Sequence, residues 1–101
     1  MRERDVEAYL VKRCKQEGIL CWKWSSPGRR GVPDRLLLYR GEWFAVEVKA
    51  PGKRPTVLQQ RELRNIVDAG GQGWWVDSED EVEHLILCIR CGLPLVLEEK
   101  E

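Results

Sequence analysis

Two apolar segments, DRLLLYR (34–40) and WFAVEVK (43–49), meet at Arg40-Gly41-Glu42, a tight-turn sequence that makes them antiparallel neighbours. The near-continuous Leu36-Leu37-Leu38 run predicts that the first strand is covered on both faces. A helix from about Thr56 to Ala69, stopped by Gly70-Gly71, separates the second segment from another short strand, GWWVD. A helical crossover is the connection that parallel neighbours need. One hairpin and one crossover in the same sheet predict a mixed sheet.

The flanking segments supply the helical layers. Val6, Leu10, Val11 and Cys14 recur at helical spacing between about Arg4 and Glu17, and Gly18 stops that helix. Ile19 to Trp24 (ILCWKW) reads as a strand, and Ser25 to Pro33 as a loop rich in turn-forming residues with two adjacent arginines. After GWWVD, Ser78 is a helix N-cap, and Val82, Leu85, Ile86 and Ile89 share one face. The expected fold is an α/β domain over residues 1–92, a mixed sheet flanked by helices in the order α-β-β-β-α-β-α. Residues 93–101 form an acidic C-terminal tail expected to fray.

A chain of 101 residues, 43% of them apolar, builds one core and has no room for a second catalytic domain. No segment approaches the roughly 18 apolar residues of a membrane span, and MRERDVEAYL lacks the apolar core of a signal peptide. The expected location is therefore the cytoplasm, with no membrane partner and with Cys14, Cys21, Cys88 and Cys91 as free thiols. Cys88-Ile-Arg-Cys91 has zinc-like spacing, but no second CxxC or histidine pair completes four ligands. Net charge is zero, yet residues 1–64 carry 15 Lys+Arg against 8 Asp+Glu, and residues 65–101 carry 2 against 9. Such asymmetry predicts that one face meets an anion.

The chemistry concentrates at Pro33-Asp34 and, after twelve intervening residues, Glu47-Val48-Lys49. Alternation in a strand places Glu47 and Lys49 on one face, about 6–7 Å apart, with Phe44, Val46 and Val48 on the other. The hairpin brings Asp34 beside them. Two carboxylates and the Val48 carbonyl suit a hard divalent cation, and Lys49 is placed to orient or deprotonate an attacking water. On a helical wheel Glu7 falls inside the first helix's apolar stripe, where an unpaired carboxylate is costly. Glu7 is therefore expected to complete the site or hold a second ion. The same reasoning turns Gln59 inward, where its amide can bond a water or phosphate, and leaves Gln60 at the stripe's edge.

GVPD at 31–34, EVK at 47–49 and Gln59, behind a helix bearing Glu7, resemble the stand-alone VRR-NUC nucleases often carried by phages, within the PD-(D/E)xK superfamily. The similarity spans roughly residues 3 to 90. The resemblance implies a restriction-endonuclease-like core and Mg²⁺- or Mn²⁺-dependent phosphodiester hydrolysis on structured DNA. It also implies a Holliday-junction-resolvase-like homodimer, working in the cytosol of a phage host or bacterium. Glu3 also fits the family's N-terminal carboxylate; Glu7 is preferred for its place nearer the stripe's centre.

Arg29, Arg30, Lys53 and Arg54 lie in the two loops flanking the catalytic strands and are expected to contact DNA phosphates, with Ser26 in the first of those loops. Five tryptophans are many for this length, and one of Trp74 and Trp75 is expected to be covered only in a dimer. The alternatives are a flap or nicking endonuclease using the same site, and a catalytically idle DNA-binding module. The second has no physical need for carboxylates that face phosphate.

Overall fold

The computed structural model describes residues 1–100; Glu101, the last residue of the expected tail, lies outside them. The elements are α1 (Glu3–Gln16), β1 (Leu20–Lys23), β2 (Arg35–Tyr39), β3 (Glu42–Val48), α2 (Val57–Asp68), β4 (Gly73–Val76) and α3 (Glu79–Cys91), closed by a 3₁₀ turn at Leu97–Lys100. The sheet order is β1-β2-β3-β4. β1/β2 and β2/β3 are antiparallel, and β3/β4 is parallel, as the crossover through α2 requires. Tyr39 pairs with Glu42, so the hairpin loop is Arg40-Gly41 alone. Both have positive φ, 49° and 85°, the pattern of the type I′ turn that matches strand twist.

Local chemistry sets the helix ends. The Thr56 hydroxyl accepts the Gln59 N–H while the Gln59 carboxamide accepts the Thr56 N–H, a reciprocal capping box. The Ser78 hydroxyl accepts the Glu81 N–H at 3.1 Å, and Gly92, at φ 67°, ends α3 in the left-handed conformation.

α1 and α3 cover one face of the sheet. Val6, Leu10 and Cys14 from α1 and Val82, Leu85, Ile86 and Ile89 from α3 join Leu37, Phe44, Val46 and Val48 in the core. A clamp joins the two helices, with Arg13 and the Tyr9 hydroxyl both donating to Glu83. Those contacts hold the Glu83 carboxyl at about 2, Arg13 being the larger cause. α2 covers the other face, and only in part. Its Leu63 and Val67 lie against Gly73 of β4, whereas Leu20, Trp22 and Trp43 are 41%, 54% and 46% exposed.

That partial cover corrects the expectation for β2. Leu37 is fully buried, but Leu36 and Leu38 are half-buried because no helix lies over the β1/β2 half of that face. The tryptophans divide differently from expectation as well. Trp74 and Trp75 are both buried within the single chain, at 5% and 8% exposure. Trp22 and Trp43 are the exposed pair, with ring centroids 6.1 Å apart.

The tail does not fray through Lys100. Leu97 is buried, and the Lys100 ammonium sits over the Trp74 and Trp75 rings while donating to Glu81 and to the Trp75 carbonyl. Buried Leu97, half-buried Leu95 and a cation on the rings outweigh the acidic composition of the segment. Among the described residues, no helix is long and apolar enough to cross a membrane.

Candidate active site

Asp34 closes the loop that leads into β2, and its carboxylate Oδ2 accepts the Val48 backbone N–H at 2.8 Å. This bond ties the start of β2 to the end of β3. In the antiparallel register Arg35 stands opposite Val46 and Leu36 opposite Ala45. Arg35 therefore projects to the α1/α3 side and Asp34 to the α2 side, the side of Ala45, Glu47 and Lys49.

Glu47 is 2% exposed, and its Oε1 has no hydrogen-bond partner among the described residues. Burial pushes its carboxyl up to about 8, and the neighbouring Asp34 raises it further than Lys49 lowers it. A buried carboxylate oxygen left without a donor, beside a second carboxylate, is costly unless a cation or a proton joins it. Lys49, 14% exposed at its side chain, donates to the Gln59 carboxamide oxygen at 3.2 Å and has the Glu3 carboxylate 4.0 Å away.

The structure thus brings together Asp34, Glu47, Lys49 and Gln59, with Val48 between the strand carboxylates, and it does not bring Glu7 to them. Glu7 Oε2 accepts from Arg35 Nε at 2.8 Å and from Lys23 Nζ at 3.2 Å, on the α1/α3 side. Its inward direction has a cause, but the cause is an ion pair through Arg35. The carboxylate that α1 does send to the site is Glu3, in the helix's first turn beside Lys49. A wheel gives the direction of a side chain around the helix, not which end of the sheet the turn reaches. Gln60 is exposed and donates to the Pro55 carbonyl, whereas Gln59 is the amide that meets the Lys49 ammonium.

The residues present fit a divalent cation through Glu47 and Asp34. The orphaned Glu47 oxygen and the mutual repulsion of the two carboxylates are what such an ion relieves. Among the described residues no three His, Cys, Asp or Glu side chains gather in a metal-binding group. Two carboxylates suffice for an ion that keeps several waters, as Mg²⁺ does.

The expected phosphate contacts divide into two kinds. Arg30 and Lys53 are exposed and carry no ion pair among the described residues. Arg29 is instead engaged by Glu62, and Arg54 lies over the Trp75 ring and donates to the Lys100 carbonyl at 3.3 Å. The Ser26 carbonyl accepts the Arg29 N–H, closing the turn that starts the loop. The sequence reading missed Glu62, which looks like any charge on a solvated helix face until its partner, 33 residues away, is known.

A mixed four-stranded sheet with an acidic pair and a lysine at the ends of its hairpin strands is the arrangement that the resemblance to PD-(D/E)xK nucleases implies. Comparison with known proteins narrows this. The chain is 44% identical over 81 residues to "Putative nuclease p44" of Acyrthosiphon pisum secondary endosymbiont phage 1, covering 79% of this chain and 87% of that protein. A solved VRR-NUC domain superposes with a TM-score of 0.77 at 34% identity, covering 84% of this chain and 94% of the other. A second VRR-NUC domain protein, 17% identical with a TM-score of 0.74, covers 93% of this chain and 91% of its own and shares the fold. No family model matches the sequence. The chain belongs to the VRR-NUC nucleases.

Proposed function

We propose that this nuclease is a Mg²⁺-dependent DNA endonuclease that acts on branched DNA as a homodimer in the cytosol, with Mn²⁺ able to replace Mg²⁺. The observation that carries the reading is the buried Glu47 carboxylate, unpartnered at Oε1 and set beside Asp34. Asp34, Glu47 and the Val48 carbonyl would hold the ion. A bound divalent ion supplies positive charge for the phosphate and lowers the pKa of water. Lys49 orients the attacking water and donates to the phosphate, Gln59 fixes the lysine, and Glu3 balances its charge from α1. Arg30 and Lys53 contact the flanking backbone.

Two features support a dimer on a branched substrate. One site per chain breaks one strand, and two matched cuts need two sites. The exposed Leu20, Trp22 and Trp43, with half-buried Leu38 between them, give apolar material for a self-complementary interface. Cleavage of a four-way junction, a flap and plain duplex in Mg²⁺ and in chelator, with solution mass, tests the reading. Two opposed cuts by a dimer in Mg²⁺ support it. A monomer that nicks one strand or prefers a flap replaces the substrate part, and full activity in chelator removes the metal.

A further inference from the structure

Arg29 and Arg30 are adjacent in one loop, but their surroundings differ. The Arg29 guanidinium lies against the Glu62 carboxylate of α2 as a two-pronged pair, with Nε to Oε2 at 2.7 Å and Nη2 to Oε1 at 2.8 Å. Glu62 is 7% exposed; it and Glu47 are the buried charged residues among those described. Asn65 Nδ2 also lies 3.4 Å from its Oε1. An arginine whose charge is already matched by an acid carries little surplus for a phosphate. Its fork geometry is better suited to fixing orientation.

The loop is seated on α2 at a second point. A Cβ on Gly31, at φ 81°, would stand 2.9 Å from Leu58 Cγ and 3.3 Å from both Glu62 Cγ and the Leu58 carbonyl oxygen. Pro33 is fully buried, and Asp34 follows it. On the same helix Gln59, three residues before Glu62, holds the Lys49 ammonium. One helix therefore sets the loop that delivers Asp34 and the amide that orients Lys49.

We infer that Arg29 and Glu62 form a positioning pair that fixes Asp34 against Glu47 and Lys49, and that Arg30, not Arg29, is the loop's phosphate contact. This rests on the nuclease reading above.

The test compares Arg29→Ala, Arg29→Lys, Glu62→Gln and the double variant Arg29→Ala/Glu62→Gln with the wild type. The readouts are single-turnover cleavage at saturating DNA, DNA affinity across a salt titration, and the Val48 amide resonance in metal-free protein. The resonance reports the Val48 N–H held by Asp34. Each single variant should cleave about tenfold more slowly, as a small displacement of a reacting group does. DNA affinity should stay within about twofold, with the salt slope unchanged. Arg29→Lys should also slow cleavage, because lysine keeps the charge and loses the fork. The double variant, which leaves neither charge without its partner, should be no slower than either single. The Val48 amide should move in all four variants. The pair is overturned if Arg29→Ala weakens DNA binding and lowers the salt slope by about one while cleavage at saturation is intact. It is equally overturned by a wild-type rate in Arg29→Lys, by additive losses in the double variant, or by an unmoved Val48 amide. The amide keeps the two claims separate: a wild type that does not cleave counts against the nuclease reading, whereas the resonance decides the pair with no activity at all.

Discussion

Glu7 and Arg35 are bonded at 2.8 Å on the α1/α3 side of the sheet, although Arg35 directly follows Asp34. Consecutive strand residues face opposite ways, so one dipeptide turns its first residue to the candidate site and anchors α1 with its second. Glu7→Ala should accordingly leave Arg35 without its close acceptor and cost stability of about 1–3 kcal/mol, with little change in turnover. Glu3→Ala should do the reverse, since Glu3 is exposed and lies 4.0 Å from Lys49. Thermal melts and cleavage rates of the two variants, measured together, decide between them.

The Glu47 carboxyl, pushed up to about 8 from an ordinary 4.5, makes the metal-free chain sensitive to pH. Between those values the folded state holds a proton that the unfolded state has released. Stability from this group is thus fully present below about 4.5 and is lost as pH rises through about 8. Melting temperature in chelator should fall across that window. Glu47→Gln should flatten the dependence and raise the melting temperature at pH 8. An unchanged slope in that variant would assign the effect elsewhere.

Arg30→Ala/Lys53→Ala should weaken binding to every DNA structure alike. Backbone contacts carry no sequence information, and losing two of them should lower the salt slope by about two. A salt titration of the double variant against wild type measures this directly.

The hairpin and the crossover were legible in the sequence because each rests on short-range chemistry: alternation in 34–49, the Arg40-Gly41 turn, and the Thr56 and Ser78 caps. Asp34, Glu47, Lys49 and Gln59 followed from the same alternation and from one helical wheel. What the sequence hid depends on contacts between distant segments. Glu7 finds Arg35 only once α1 is docked, and Arg29 finds Glu62 only once the loop is laid on α2. Leu36 and Leu38 read as core, but how far α2 extends over the sheet is a matter of packing rather than pattern. The tail reads as frayed because its acidic residues are evident in the sequence, whereas its anchor, the packing of Leu97 and Leu95 on the core, depends on distant segments.

That anchor gives a further expectation. Leu97→Ala should destabilise the chain by about 2–3 kcal/mol, in the range of a large-to-small change at a buried site. It should also raise solvent access to Trp75, which with Leu97 lines the small pocket closed by Arg54, Pro55, Gln60 and Leu63. Denaturant melts and quenching of tryptophan fluorescence report the two effects, and an unaltered melt would mean that the turn contributes nothing to the fold.

The buried carboxylate beside Asp34 is the centre of the candidate site, and Glu47→Gln addresses it with almost no change of volume. Cleavage of a four-way junction by this variant and by wild type, in Mg²⁺ and in chelator, is the most direct measurement. Wild type should cut in Mg²⁺ and not in chelator, while Glu47→Gln should bind the junction and fail to cut it. Substantial Mg²⁺-dependent cleavage by Glu47→Gln, or undiminished wild-type cleavage in chelator, would contradict the site.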